Sequence, residues 1–171
     1  FRKKQMKCHK KNKIKVIFMP KHSENRKVPY SASKMFDLVS DIESYPAFLP
    51  WCSGARIKRQ YDADNKYVII ADLIISFKAF REQFTSEVTL DRNSNEILVN
   101  YVDGPFKYLI NRWQFTDEKD DECMAAFAVD FEFKSKIMQA LIGIVFNDAM
   151  VKIVGAFEKR AFDLYGLDNE L

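Results

Sequence analysis

The hydrophobic period changes once along this chain, and that change constrains the fold more than any other feature. Between Ser53 and Phe133 apolar side chains alternate with polar ones, or fill short β-branched runs, in six consecutive segments. The segments are 53–60, 67–77, 80–90, 96–102, 106–115 and 123–133. Polar turns separate several of them, at Tyr61–Lys66, Asp91–Asn95, Asp103-Gly104-Pro105 and Asp117–Asp121. Period-two alternation with short polar turns predicts consecutive antiparallel strands, one face buried and one wet. From Ser135 the apolar set becomes Ile137, Met138, Leu141, Ile142, Val145, Phe146, Ala149, Met150, Ile153, Val154, Phe157, Ala161 and Leu164. Steps of three and four predict one amphipathic helix from Ser135 to Tyr165, about 46 Å long at ~1.5 Å per residue, stopped by Gly166.

The N-terminal side is shorter. Residues 23–29 read as a strand ending at Pro29. Ser31 is placed to cap a helix over Ala32–Ser40 whose apolar face is Met35, Phe36, Leu38 and Val39. Tyr45-Pro46-Ala47-Phe48-Leu49-Pro50-Trp51-Cys52 follows. Its prolines forbid a regular helix, and its large apolar side chains predict a buried, tight helical turn. The fold class is therefore α+β: a curved antiparallel sheet wrapped around one long C-terminal helix. Both apolar surfaces need each other, and a long helix over a strongly curved sheet leaves room for an apolar ligand.

Charge divides the chain. Residues 1–27 hold eleven basic side chains and one acid, whereas the rest holds 16 basic and 23 acidic. The body is acidic, which argues against a nucleic-acid-binding surface and against DNA as a partner. Met19-Pro20-Lys21-His22 reads as a natural start, with residues 1–18 as a basic extension and 19–171 as one domain. The longest apolar run, Ile137–Phe146, is broken by Gln139 and falls short of the ~20 residues a spanning helix needs. The expected location is cytoplasmic, peripheral to an inner membrane, or on the matrix side in a eukaryote.

Catalytic and metal chemistry find little material. Cys8, Cys52 and Cys123 are too scattered for a zinc site or disulfide scaffold, and His9 and His22 both lie near the N-terminus. No Gly-rich phosphate loop, Cys-x-x-Cys or Ser/His/Asp set is present. Asp130 and Glu132 fall on the wet strand face. Arg112, between apolar neighbours, either pairs with an acid on the outer face or donates to a ligand oxygen. The aromatics are the sharper feature: 15 Phe, 7 Tyr and 2 Trp exceed what a small core requires. Trp51, Trp113, Phe115, Phe127, Phe131, Phe146 and Phe157 together suit a flat ring and a greasy chain, since aromatic faces stack and their bodies bury apolar surface.

Four motifs carry a family resemblance across residues 23–166. They are the Tyr45–Cys52 segment; Gly104-Pro105-Phe106-Lys107-Tyr108-Leu109 with Trp113-Gln114-Phe115; Val129-Asp130-Phe131-Glu132-Phe133-Lys134-Ser135; and Ala156-Phe157-Glu158-Lys159-Arg160-Ala161 with Tyr165-Gly166. In these the chain resembles the START-like, helix-grip superfamily, which includes polyketide cyclase and dehydrase proteins. Within it the chain is similar to the coenzyme Q-binding proteins and the related ribosome-association toxin proteins. The resemblance implies a carrier of ubiquinone or a related polyprenyl lipid that supports respiratory electron transport, without a cofactor, a metal or a catalytic set. It implies two alternatives: a protein that binds the large ribosomal subunit and blocks subunit association, or an oligoketide cyclase. The expected cavity wall is Trp51, Leu73, Phe84, Trp113, Phe127, Phe131, Phe146 and Met150. Phe48 and Leu49, held between prolines, are the expected entrance and membrane lip.

Overall fold

The computed structural model describes residues 20–119 and 121–166. The reading of residues 1–18 as an extension lies outside them. The elements run β1 (Lys21–Val28), α1 (Ala32–Ser40), a 3-10 helix (Ile42–Ala47), β2 (Cys52–Ala63), β3 (Lys66–Phe77), β4 (Phe80–Asp91), β5 (Glu96–Asp103), β6 (Phe106–Asp117), β7 (Cys123–Phe133) and α2 (Lys136–Tyr165). All seven strands form one antiparallel sheet in the order β1-β7-β6-β5-β4-β3-β2. From β2 to β7 each strand pairs with its sequence neighbour, as hairpins require, while β1 closes onto β7.

The polar stretch Tyr61–Lys66, expected as a turn, is mostly strand. Only Asp64 and Asn65 leave the ladder, both at positive φ (50° and 63°), so a two-residue turn suffices. Asp and Asn tolerate that left-handed backbone and match the strand twist. The polar flanks remain strand because this end of the hairpin is exposed. At the β5–β6 turn Gly104 has φ 133°, and a Cβ there would lie 2.7 Å from the Phe84 Cβ and 2.9 Å from the Gln83 carbonyl oxygen. Only glycine fits that approach.

Both helix starts are capped by serine, Ser31 as expected and Ser135 in addition. Ser31 Oγ accepts from Lys34 N at 3.3 Å, and Ser135 Oγ accepts from Met138 N at 3.3 Å. α1 is held at one end of the sheet by its buried Met35, Phe36, Leu38 and Val39 and by Ala32 N donating to Asp117 Oδ1 at 2.7 Å. The second half of α2 closes this end: Phe157 and Ala161 are buried, and Tyr165 Oη donates to the Lys34 carbonyl at 2.9 Å.

α2 departs in part from the amphipathic expectation. Ile137 and Leu164 of the predicted stripe are exposed, as are Ile144, Val151 and Phe162, which no apolar stripe facing the sheet includes. By length and composition α2 would suffice to cross a membrane, contrary to the sequence reading; it lies along the sheet, with 28% of its most apolar stretch buried. Periodicity reports that a helix has an apolar face, but not whether the opposite face is also apolar and left uncovered.

The convex face of the sheet carries the charge. Tyr108 Oη donates to Asp130 Oδ1 at 3.0 Å, Lys107 pairs with Glu132, and Lys21 lies 3.4 Å from Asp130. Burial, with Asp130 beside it, pushes the Tyr108 phenol up to about 12. Arg112 takes the first of its two expected roles, with Nε 3.6 Å from Glu96 Oε1. Asp72 is buried and accepts from Thr85 Oγ1 at 2.6 Å and Arg56 at 3.2 Å. Burial alone would raise its pKa, but those bonds and the Lys58 charge hold it below the ordinary carboxylate value.

Candidate functional site

A cavity lies between the concave sheet face and α2, in two adjoining lobes. The outer lobe, about 250 Å³, is under the first half of α2. Its wall is Trp51, Phe77, Phe80, Phe84, Phe106, Phe131 and Phe133 from the sheet side, and Met138, Leu141, Ile142, Val145 and Phe146 from the helix. The inner lobe, about 220 Å³, reaches toward α1 and is lined by Tyr45, Leu49, Leu73, Val88, Asn111, Trp113, Phe127 and Phe157. Pro50, Ile75, Phe84, Leu109, Val129, Met150 and Ile153 line both. Joined, the lobes enter the range of roughly 300–1,000 Å³ usual for small-molecule sites.

Strand alternation builds this wall. Leu73 and Phe84 are opposite partners on β3 and β4, and Trp113 and Phe127 on β6 and β7. The Trp113 and Phe127 rings lie 4.4 Å apart, Phe157 meets Trp113 edge-on at 5.1 Å, and Phe131 meets Phe146 at 5.7 Å. Such tilted and edge-on pairs fix ring planes rather than merely filling space. Glu82 is the carboxylate on the outer lobe, and the polar groups of Asn111, Trp113 and Tyr45 on the inner lobe are engaged within the protein. Trp113 Nε1 donates to Asn111 Oδ1 at 3.1 Å, Asn111 Nδ2 donates to the Ala128 carbonyl at 2.9 Å, and Tyr45 Oη donates to the Val39 carbonyl at 2.5 Å. Burial pushes the Tyr45 phenol far above its ordinary range, so it stays neutral. The Cys52 thiol, also raised by burial, packs as a small apolar group.

Trp51, Leu73, Phe84, Trp113, Phe127, Phe131, Phe146 and Met150 are brought together as expected, and Leu49 lines the inner lobe. Phe48 is not on either lobe. Its ring sits against Tyr45 (5.9 Å) and Phe157 (5.4 Å), with the Arg160 guanidinium over it at 5.5 Å. An aromatic cluster with a cation above it packs the half-buried Phe48 ring against the protein, away from both lobes. The segment forms a half-buried 3-10 turn, and Trp51 closes it with φ 63°. That left-handed backbone is costly for a bulky residue and aims the ring at Phe77, 5.5 Å away.

Sequence reasoning missed Phe77, Phe80, Phe106, Phe133, Leu141, Ile142 and Val145. Phe106 was hidden by a register shift between Phe106 and Tyr108: simple alternation places it opposite Leu109, but the bulge turns both inward. Its ring stacks on Phe133 at 4.5 Å. Leu141 and Val145 carried a signal, since they belong to the helical apolar set. His22, discounted by position, lies 6.0 Å from the Phe127 ring and 6.4 Å from Phe146, with its Nε2 2.7 Å from Glu24. Among the described residues no group of His, Cys, Asp or Glu could hold a metal ion.

Residues 28–158 match the family described as polyketide cyclase / dehydrase and lipid transport. The chain belongs to that family. Its sheet and long C-terminal helix are the START-like, helix-grip fold: a START superfamily protein of Mycobacterium smegmatis superposes with TM-score 0.70 at 20% identity, over 84% of this chain and 98% of that one. The Escherichia coli protein named ribosome association toxin RatA is 40% identical over 149 residues, covering 87% of this chain and 91% of the relative. The Xenopus laevis protein named coenzyme Q-binding protein COQ10 homolog B, mitochondrial, is 30% identical over 149 residues, covering 85% of this chain and 59% of the relative. Within the family this chain therefore stands with both groups that its motifs resemble.

Proposed function

We propose that the chain binds ubiquinone or a related polyprenyl quinone in the two-lobed cavity and carries it between a membrane and the proteins that use it, leaving it chemically unchanged. One observation carries the reading: apart from Glu82 on the outer lobe and Cys52 and Ser86 on the inner one the wall is aromatic and aliphatic, and its Asn111, Trp113 and Tyr45 polar groups bond within the protein. A cyclase substrate needs polar partners along its length, whereas a quinone needs a ring slot and apolar room. The inner lobe, with Trp113 and Phe127, suits the ring; the outer lobe suits the first isoprene units. Apolar burial at roughly 25 cal/mol per Å² supplies the affinity without an ion pair. The name of the Xenopus laevis relative supports the ligand, and the location that follows is cytoplasmic or matrix-side, beside the membrane.

The test is mass spectrometry of lipid extracted from protein purified from its own host, paired with Met150→Trp. Met150 lines both lobes, so an indole there fills the junction. Overpacking costs about 1–3 kcal/mol, so the variant stays folded while quinone retention drops at least about tenfold. Unchanged retention by the folded variant places the ligand elsewhere.

A second reading is favoured by the names of the bacterial relatives: binding to a ribosomal subunit so that subunits do not associate. Co-migration with the large subunit in a sucrose gradient tests it directly. A quinone-free protein that co-migrates replaces the first reading.

A further inference from the structure

α2 is more apolar than its packing uses. Ile137, Ile144 and Val151 are 74%, 82% and 73% exposed, and their spacing of seven puts them on one line facing away from the sheet. Leu141, which lines the outer lobe, is one turn from both Ile137 and Ile144. Apolar surface therefore runs unbroken from the lobe, over the edge of the helix, onto its outer face. The opposite rim is Trp51, Phe77 and Phe80.

The charges around this end run against the acidic body. Lys78, Arg81, Lys134, Lys136 and Lys152 are exposed, and among the described residues none has a carboxylate within salt-bridge distance. The Lys78 and Lys152 ammonium groups sit over the Phe77 and Trp51 rings at 5.5 and 5.7 Å. The acids nearby are Glu82, Asp103, Asp148 and Glu132, the last already paired with Lys107. Asp148 lies between Ile144 and Val151, so the apolar line is free of charge only toward the start of the helix.

We propose that this end of the molecule docks on an anionic phospholipid bilayer, with the start of α2 and the Trp51–Phe77–Phe80 rim entering the head-group layer and the outer lobe opening there. The proposal rests on reading the cavity as a lipid site. Three features select a bilayer as the occupant. The exposed apolar surface is continuous with the lobe, so a chain passes between them without crossing water. The collar of five cations matches anionic head groups, and a Trp ring beside a lysine suits the interface. The joined lobes hold a ring and a few isoprene units, so the remainder of a long chain needs an apolar path out. A second copy of this chain seated on the stripe would use neither the collar nor the opening.

The test is co-sedimentation of the full chain with phosphatidylcholine vesicles and with mixed phosphatidylcholine–phosphatidylglycerol vesicles. Wild type is compared with Ile137→Ser/Ile144→Ser, two exposed positions off the cavity wall, and with Lys78→Glu/Lys134→Glu/Lys136→Glu. Wild type binds the mixed vesicles, and each folded variant loses at least about tenfold. The basic residues of 1–27 are present throughout, so binding carried by them persists in both variants and overturns the proposal. Failure of wild type to sediment with mixed vesicles overturns it too. So does a wild-type dimer by light scattering that the serine pair converts to monomer with vesicle binding intact. Quinone retention in detergent is measured separately. Protein that holds quinone but ignores vesicles loses only the docking proposal; protein that binds vesicles but holds no quinone loses only the ligand reading.

Discussion

The two halves of α2 have the same helical geometry and differ in what their inner faces meet. Val154, Phe157 and Ala161 are buried, and Tyr165 ties the helix end to α1 through the Lys34 carbonyl. Between about one and five turns before Val154, Ile137, Ile144 and Val151 face outward, while Met138, Leu141 and Ile142 face a cavity rather than close-packed neighbours. The second half is a structural clamp and the first half is a roof. The difference shows that a helix can be apolar on a face for a reason other than the core of its own domain.

The contrast is broken most sharply by truncation at the clamp. Phe157 touches Tyr45, Phe48 and Trp113, so Phe157→Ala removes the centre of an aromatic cluster. A loss of about 3–5 kcal/mol is expected from urea unfolding. A loss below about 1 kcal/mol would mean that the clamp half is no more tightly packed than the roof.

A middle-sized effect lies outside the helix, on the convex face, where polar groups rather than rings do the holding. Thr85→Val leaves the buried Asp72 carboxylate without its 2.6 Å donor, at an expected cost of about 1–3 kcal/mol near neutral pH. Asp72 has a folded pKa below its unfolded one, so its stabilisation is full above the unfolded value and is lost as pH falls through the folded one. The gap between wild type and variant therefore narrows on acidification. Urea midpoints at about pH 7 and about pH 3 check it; a constant gap assigns the cost to packing instead of charge.

The smallest effect is expected on the roof. Ile144→Ser changes a residue 82% exposed, and its stability should stay within about 0.5 kcal/mol of wild type. Hydrogen exchange sharpens the same point: amides of 138–148 should exchange faster than those of 154–164, because fewer packed contacts oppose local opening. Equal protection would show the two halves opening together.

Much of this was legible in the residues. Ser31 and Ser135 mark the starts of two helices, Gly166 marks a stop, and strand alternation puts Trp113, Phe127 and Phe131 on one face, because caps and side-chain periods are local properties. The shared-face aromatics pointed to part of the cavity wall, Trp113, Phe127 and Phe131 among it. Three things were settled only in three dimensions. The Phe106–Tyr108 bulge reversed which side Phe106 faces, since a bulge arises from how a strand meets its partner. Phe48 joined Tyr45, Phe157 and Arg160, the last 112 positions away from it, instead of lining the cavity. The sheet then decided which half of α2 it would grip, because curvature is a property of seven paired strands together and no single segment encodes it.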